Sequence, residues 1–197
     1  MDERRLKYWL ALSMLRGIER FNAGSLVEKF GGPEEVFCAG RDALEGVSSS
    51  FAKQVTAFKD WDRVDQEIEL ALKKGAAIVA CEDPLFPKAL KMTYDPPCLL
   101  YMIGNGYKEE AAAVAIVGTR HPSQYGTLMA ETLGRDLAYS GVNVVSGMAR
   151  GCDMSGHKGA LKAGGFTTAV LGTGVDEVYP REARKLYEEI VEKGDVI

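Results

Sequence analysis

The sequence predicts an α/β fold: a parallel sheet with alternating strands and helices, preceded by a small all-helical region. Two observations carry this. Three apolar runs, at 113–117, 142–145 and 166–171, each end in a glycine-containing loop that leads into a helical pattern. Near-continuous apolar strands alternating with helices are the signature of a parallel sheet covered by helices. Residues 1–60 instead show only helical spacing, with glycines and a proline between the segments.

The elements follow in order. Leu6, Trp9, Leu10 and Met14 fall at helical spacing, and Gly17 ends that helix. Leu26, Val27 and Phe30 mark a second helix closed by Gly31-Gly32. Pro33 suits a first helical position, with Glu34 and Glu35 favourable against the helix dipole. Ser48 is placed to cap a helix carrying Phe51, Val55 and Phe58. The stretch Leu44-Glu-Gly-Val-Ser48 with Ala52 has the form of half a helix-hairpin-helix, but no basic cluster adjoins it, and a plain packing module is the preferred reading. A helix over 60–74, with Trp61, Val64, Ile68 and Leu72 on one face, links to short strands at 76–80 and 98–103. From 111 onward the alternation is regular. Helices are expected over 125–139, with Leu128, Leu133 and Leu137 inward, and over 155–163 and 182–193. Right-handed crossovers then place every strand-to-helix loop on one rim, as in a Rossmann-like sheet. The final Asp195-Val-Ile197 starts a further strand, so the sheet reads as truncated. The expected organisation is a helical domain at 1–60, a connector at 61–110 and the sheet domain at 111–197.

A chain of 197 residues with 46% hydrophobic content can bury a sizeable core. Its net charge of −4 excludes overall electrostatic attraction to a polyanion. No apolar run is long enough to span a bilayer and the N-terminus lacks a signal-peptide core, so the expectation is a cytoplasmic protein with no membrane partner. Cys38, Cys81, Cys98 and Cys152 are far apart and form no Cys-x-x-Cys pair, so no metal site is expected.

The loops narrow the chemistry. The first, from Gly118 to Gly126, lacks Gly-x-Gly-x-x-Gly, and the second strand ends in Ser146-Gly147 without an acid for a ribose. Dinucleotide binding is therefore not expected, and no P-loop motif exists. What remains is backbone N–H groups with Thr119, Arg120 and Ser123, a phosphate-site composition. Arg120 taken alone fits a surface or interface ion pair equally well. Arg150 in the second loop either adds a positive contact or faces solvent. Asp153 suits a helix cap. Asp153 and His157 are spaced to meet, as a base with its orienter or as a structural hydrogen bond, and the structural role is preferred because no nucleophile accompanies them. Residues 111–197 hold nine Lys/Arg and ten Asp/Glu, which excludes a broad basic groove but not a compact phosphate pocket.

Four separate motifs then match a family. Val-Gly-Thr-Arg-x-Pro-Ser-x-Tyr-Gly (117–126), Ser-Gly-Met-Ala-Arg-Gly-x-Asp (146–153), His157 with Ala160-Leu161 and Gly164-Gly165, and Ala-Val-Leu-Gly-x-Gly-x-Asp-x-x-Tyr-Pro (169–180) resemble the DNA-processing protein A (DprA, or Smf) family. The resemblance extends to the connector prolines and to the N-terminal helices, which look like that family's SAM-like domain. It implies a non-enzymatic protein that binds single-stranded DNA, helps load RecA recombinase in natural transformation, needs no cofactor, and acts as a homodimer when whole. Its phosphate pocket maps onto Gly118, Thr119 and Arg120, with Ser146, Gly147 and Gly172, Thr173 and Gly174 beside it. Ser123 and Arg150 join them as expected phosphate contacts, and Asp153 and His157 as structural support. Two positions depart from the family pattern: Phe166 stands where a basic residue is common, and Ala183 where Asn is common. The alternatives are a nucleotide-sensing or partner-binding module with no DNA role, and a nucleoside-monophosphate-cleaving enzyme on a related sheet. Its Pro-Gly-Gly-x-Gly-Thr-x-x-Glu loop is matched poorly by Leu171-Gly-Thr-Gly-Val-Asp-Glu177.

Overall fold

The computed structural model describes residues 1–18, 23–109 and 112–197. The expected boundary at 110/111 falls on Glu110 and Ala111, outside the described residues. The chain divides into two compact units, 1–100 and 101–197, each with its own core.

The first unit is built from short helices: α1 (Glu3–Ser13), α2 (Ala23–Phe30), α3 (Pro33–Cys38), α4 (Arg41–Glu45), α5 (Ser49–Ala57) and α6 (Trp61–Lys73). Strand β1 (Ala77–Ala80) and the single turn α7 (Lys88–Lys91) follow. Trp9, Leu10, Leu12, Val36, Leu44, Phe51 and Val64 are fully buried and form its core. Tyr8, Phe37, Phe58 and Trp61 add an aromatic cluster, with ring centroids 5.0 to 5.8 Å apart. Gly31 ends α2 at φ +91°, a conformation that favours glycine, and Pro33 opens α3 as expected. Three details differ from the sequence reading. Ser48 and Asp60 occupy N-cap positions, but neither side chain makes the cap hydrogen bond. Leu72 faces solvent and Ala71 is buried instead, because four residues beyond Ile68 overshoot the buried stripe of α6. Phe58 lies just past α5, within the aromatic cluster.

The second unit holds the sheet. Strand β2 (Leu99–Gly104) enters it; β3 (Ala113–Ala115), α8 (Gln124–Tyr139), β4 (Asn143–Ser146), α9 (Cys152–Lys162), β5 (Thr167–Ala169), α10 (Arg184–Lys193) and β6 (Asp195–Val196) complete it. Its strand order is β2-β6-β5-β4-β3. β3, β4, β5 and β6 run parallel, and β2 pairs with β6 in antiparallel register, Ile103 opposite Val196. The sheet is therefore mixed at that end. Asp195 is buried, and its carboxylate accepts the Gly106 N–H at 2.7 Å.

The inward face of α8 matches expectation at Leu137, which packs against the core, and differs at the other two leucines. Leu128 and Leu133 are 62% and 50% exposed, whereas Ala130, Gly134 and Ala138 are buried. The reason is how closely α8 crosses α9. A Cβ on Gly134 would lie 2.2 Å from the Gly156 carbonyl oxygen, and one on Gly159 would lie 2.0 Å from that of Glu131. Only glycine permits this backbone-to-backbone contact, and leucines at the seam would force the helices apart. Beneath them Ile116, Ala130, Ala138, Val144 and Ala160 form the core, and Gly156 lets Ile116 reach the α9 backbone.

Gly159→Ala should therefore destabilise the protein by about 3 kcal/mol or more, since the added methyl overlaps backbone rather than a movable side chain. Chemical denaturation checks this; a loss below about 1 kcal/mol would contradict so close a crossing.

Candidate nucleic-acid interface

Three parallel neighbours, β3, β4 and β5, end side by side, so the loops after them share one rim. Ser123 is the N-cap of α8, and its hydroxyl oxygen accepts the Gly126 N–H at 3.1 Å. The hydroxyl proton has no acceptor among the described residues. The Thr119 side chain accepts the His121 N–H at 3.2 Å, which turns the chain so that Arg120 and His121 stand exposed.

The second loop locks onto the first. The Cys152 N–H donates to the Thr119 carbonyl at 3.2 Å. Gly118 lies so close to Cys152 that a Cβ would meet its sulfur at 2.7 Å. Gly151, at φ +84°, faces the Thr119 carbonyl so closely that a Cβ would lie 2.3 Å from it. Glycine is needed here for both the conformation and the space. Met148 adopts φ +57° with its side chain fully buried, which anchors this turn.

The third loop is a tight turn of its own. The Glu177 N–H donates to the Gly174 carbonyl at 3.0 Å, and the Thr173 hydroxyl donates to the Glu177 carbonyl at 3.1 Å. Val175 is buried beneath it, and its carbonyl accepts from the Tyr187 hydroxyl. The Tyr179-Pro180 peptide bond is cis.

The backbone N–H groups of Gly118, Thr119, Arg120, Gly147, Gly172, Thr173 and Gly174 make no hydrogen bond among the described residues. Arg120 likewise forms no hydrogen bond or ion pair among them, so the ion-pair reading of this residue finds no partner there. Free donors beside an unengaged guanidinium suit an anion with several acceptor oxygens.

Several residues stand differently from their sequence reading. Ser146 is 3% exposed, and its hydroxyl donates to the Ile116 carbonyl at 2.6 Å. It ties β4 to β3 and sets Gly147 in place, rather than offering its proton to a ligand. Asp153 lies inside the first turn of α9 and is not its cap. Its carboxylate accepts the Ala149 N–H at 3.4 Å and leaves no room for a side chain at Gly147. It forms no hydrogen bond with His157 among the described residues.

His157 is fully buried and bonded to Thr167 instead. The Thr167 hydroxyl gives its proton to the Val144 carbonyl at 2.6 Å, so it accepts from His157 Nδ1–H at 2.7 Å. Nε2 has no hydrogen-bond partner among the described residues. Burial pushes the imidazole pKa down to about 4, against an opposing pull from the Ser146 backbone. The ring is thus a neutral strut joining α9 to β5 and β4.

Arg150 does not stand free. Its Nε donates to Glu182, which sits in the single 3-10 turn Arg181–Ala183, and the guanidinium holds the Glu182 carboxyl below the usual range. That contact brings Arg181, also exposed, to the same rim. Spacing could not have identified Arg181 or Glu182, because only the tertiary contact puts their turn beside the second loop. At the two departures from the family pattern, Lys108 lies 4.5 Å over the Phe166 ring and Ala183 is buried. Among the described residues no group of His, Cys, Asp or Glu is placed to hold a metal ion, and no helix is long and apolar enough to cross a membrane.

These features define an α/β protein with a largely parallel sheet whose rim gathers glycine loops and an exposed arginine. The particular family follows from comparison. Residues 77–197 match the family model for DNA recombination-mediator protein A, and the chain belongs to that family. It is 32% identical to Protein Smf of Synechocystis, covering 96% of this chain and 50% of that one. It is 39% identical to the DNA processing protein DprA of Streptococcus pneumoniae over 55% of this chain and 38% of the relative. The chain thus spans about half or less of these relatives' length. The X-ray structure of DprA from S. pneumoniae superposes with a TM-score of 0.74 at 26% identity, covering 96% of this chain and 64% of that chain. A DprA structure from Helicobacter pylori, described by its single-stranded DNA binding mode, superposes with a TM-score of 0.53 at 32% identity, over 61% of this chain and 54% of that one.

A histidine whose pKa falls from 6.5 unfolded to about 4 folded leaves the unfolded chain binding more protons between those values. Its contribution to stability is therefore complete above pH 6.5 and declines as the pH drops toward 4, by up to about 3 kcal/mol. The stability difference between wild type and His157→Gln should narrow by that order over this window, measured by urea unfolding at stepped pH. A constant difference would contradict the buried neutral imidazole.

Proposed function

We propose that this chain binds single-stranded DNA by its phosphate backbone at the glycine rim. The observation that carries this is the set of unengaged N–H groups around Arg120, held by the interlock of Gly118 and Gly151 with the facing loop. Gly118, Thr119, Arg120, Ser123 and Gly147 form the contact surface, with Gly172, Thr173 and Gly174 alongside and Arg150 at its edge. Asp153, His157 and Ser146 keep the loops in shape. Backbone donors carry no base information, so binding is expected to be tolerant of sequence and sensitive to salt.

Membership of the recombination-mediator family supports a role downstream of this contact: handing the bound strand to RecA recombinase on DNA entering by natural transformation, as a homodimer in the cytoplasm. Binding, not turnover, is the proposed activity, and no cofactor takes part. The H. pylori relative described as a single-stranded DNA binder supports the choice of ligand.

Arg120→Ala should weaken binding to a labelled oligo-dT strand by about 1–3 kcal/mol, the value of a charge-assisted phosphate contact. The slope of log affinity against log salt should fall by about 0.7, one contact on a single strand. Fluorescence anisotropy over a salt series measures both, and unchanged affinity would remove Arg120 from the site.

A further inference from the structure

Glu182 is a feature that a phosphate site does not require. It places a carboxylate on the rim, in contact with Arg150 Nε, and both side chains are about half exposed. Arg150 directly precedes Gly151, the glycine pressed against Thr119 and Arg120, so the ion pair adjoins the proposed phosphate surface. Carboxylate and phosphate oxygens compete for the same guanidinium donors. The contact uses Nε alone, and the terminal nitrogens of Arg150 make no hydrogen bond among the described residues. A phosphate can therefore approach from the open side, but it meets the Glu182 charge beside it.

We propose that Glu182 is an internal competitor for phosphate at Arg150, so that the rim's grip on single-stranded DNA is set partly by this carboxylate. This rests on the single-stranded DNA reading above. An exposed ion pair is weak enough for an incoming phosphate to open, so Glu182 tempers binding rather than blocking it. A moderate grip suits a protein that must release its strand to another.

The test is anisotropy with labelled oligo-dT over a salt series, on wild type, Glu182→Gln, Arg150→Ala and the double variant. Glu177→Gln serves as a control that removes a nearby exposed carboxylate not bonded to Arg150. Glu182→Gln should tighten binding about two- to fivefold at low salt, the range of a weak exposed pair. Its salt slope should steepen by about 0.7, as Arg150 gains a full phosphate contact. The gain should vanish in the Arg150→Ala background, and Glu177→Gln should tighten binding less. Unchanged affinity in Glu182→Gln, or an equal gain without Arg150, overturns the proposal. Weaker binding also overturns it and makes Glu182 a positioning residue for Arg150. If neither wild type nor Glu182→Gln binds, the DNA reading itself fails; if wild type binds and Glu182→Gln matches it, only the competitor role fails.

Discussion

The close passage of α8 over α9 is the constraint on which the rest of the sheet unit depends. Gly134, Gly156 and Gly159 let two helix backbones meet with no side chains between them. The same approach lets Ile116 reach α9 and brings the start of α9 up to the first loop, where Gly118 and Gly151 continue the seam. The glycines of this chain thus serve two purposes along one line. Those in the helices create the packing, and those at the rim give the loops their shape.

The rim is tied by hydrogen bonds on its inner side, and its outer N–H groups are unengaged among the described residues. Ser146, Asp153 and His157 direct their polar atoms to backbone and to Thr167, beneath the loops. The N–H groups above them have no acceptor among the described residues. The arrangement also separates roles that the sequence places side by side. Ser146 and Gly147 are neighbours, yet one is a buried tie and the other a surface donor.

Charge on the rim is balanced rather than concentrated. Among the described residues Arg120 is unengaged, Arg150 is held by Glu182, and Glu177 stands exposed. In a unit with nearly equal numbers of acids and bases, the field at the rim is set by these local contacts and not by a long-range charge excess.

The sequence by itself determined the order of strands and helices, the loops that carry the glycines, and the family. These follow from local periodicity and from motif residues that need no partner to be recognised. Gly17, Gly31, Gly75, Gly141 and Gly164 all take positive φ where a helix end was expected. Tertiary structure alone decided which face of α8 is buried, which partner His157 takes and what Arg150 touches. Leucines at helical spacing predict an inward stripe, but the preferred packing of α8 is through small residues, and only the facing glycines of α9 make that so. Asp153 and His157 are correctly spaced to meet, yet Asp153 turns back to the loop that leads into α9 and His157 bonds Thr167 on β5. The reason is the same in each case. Side chains choose among partners brought close by the whole fold, and spacing along one helix describes only the partners on that helix.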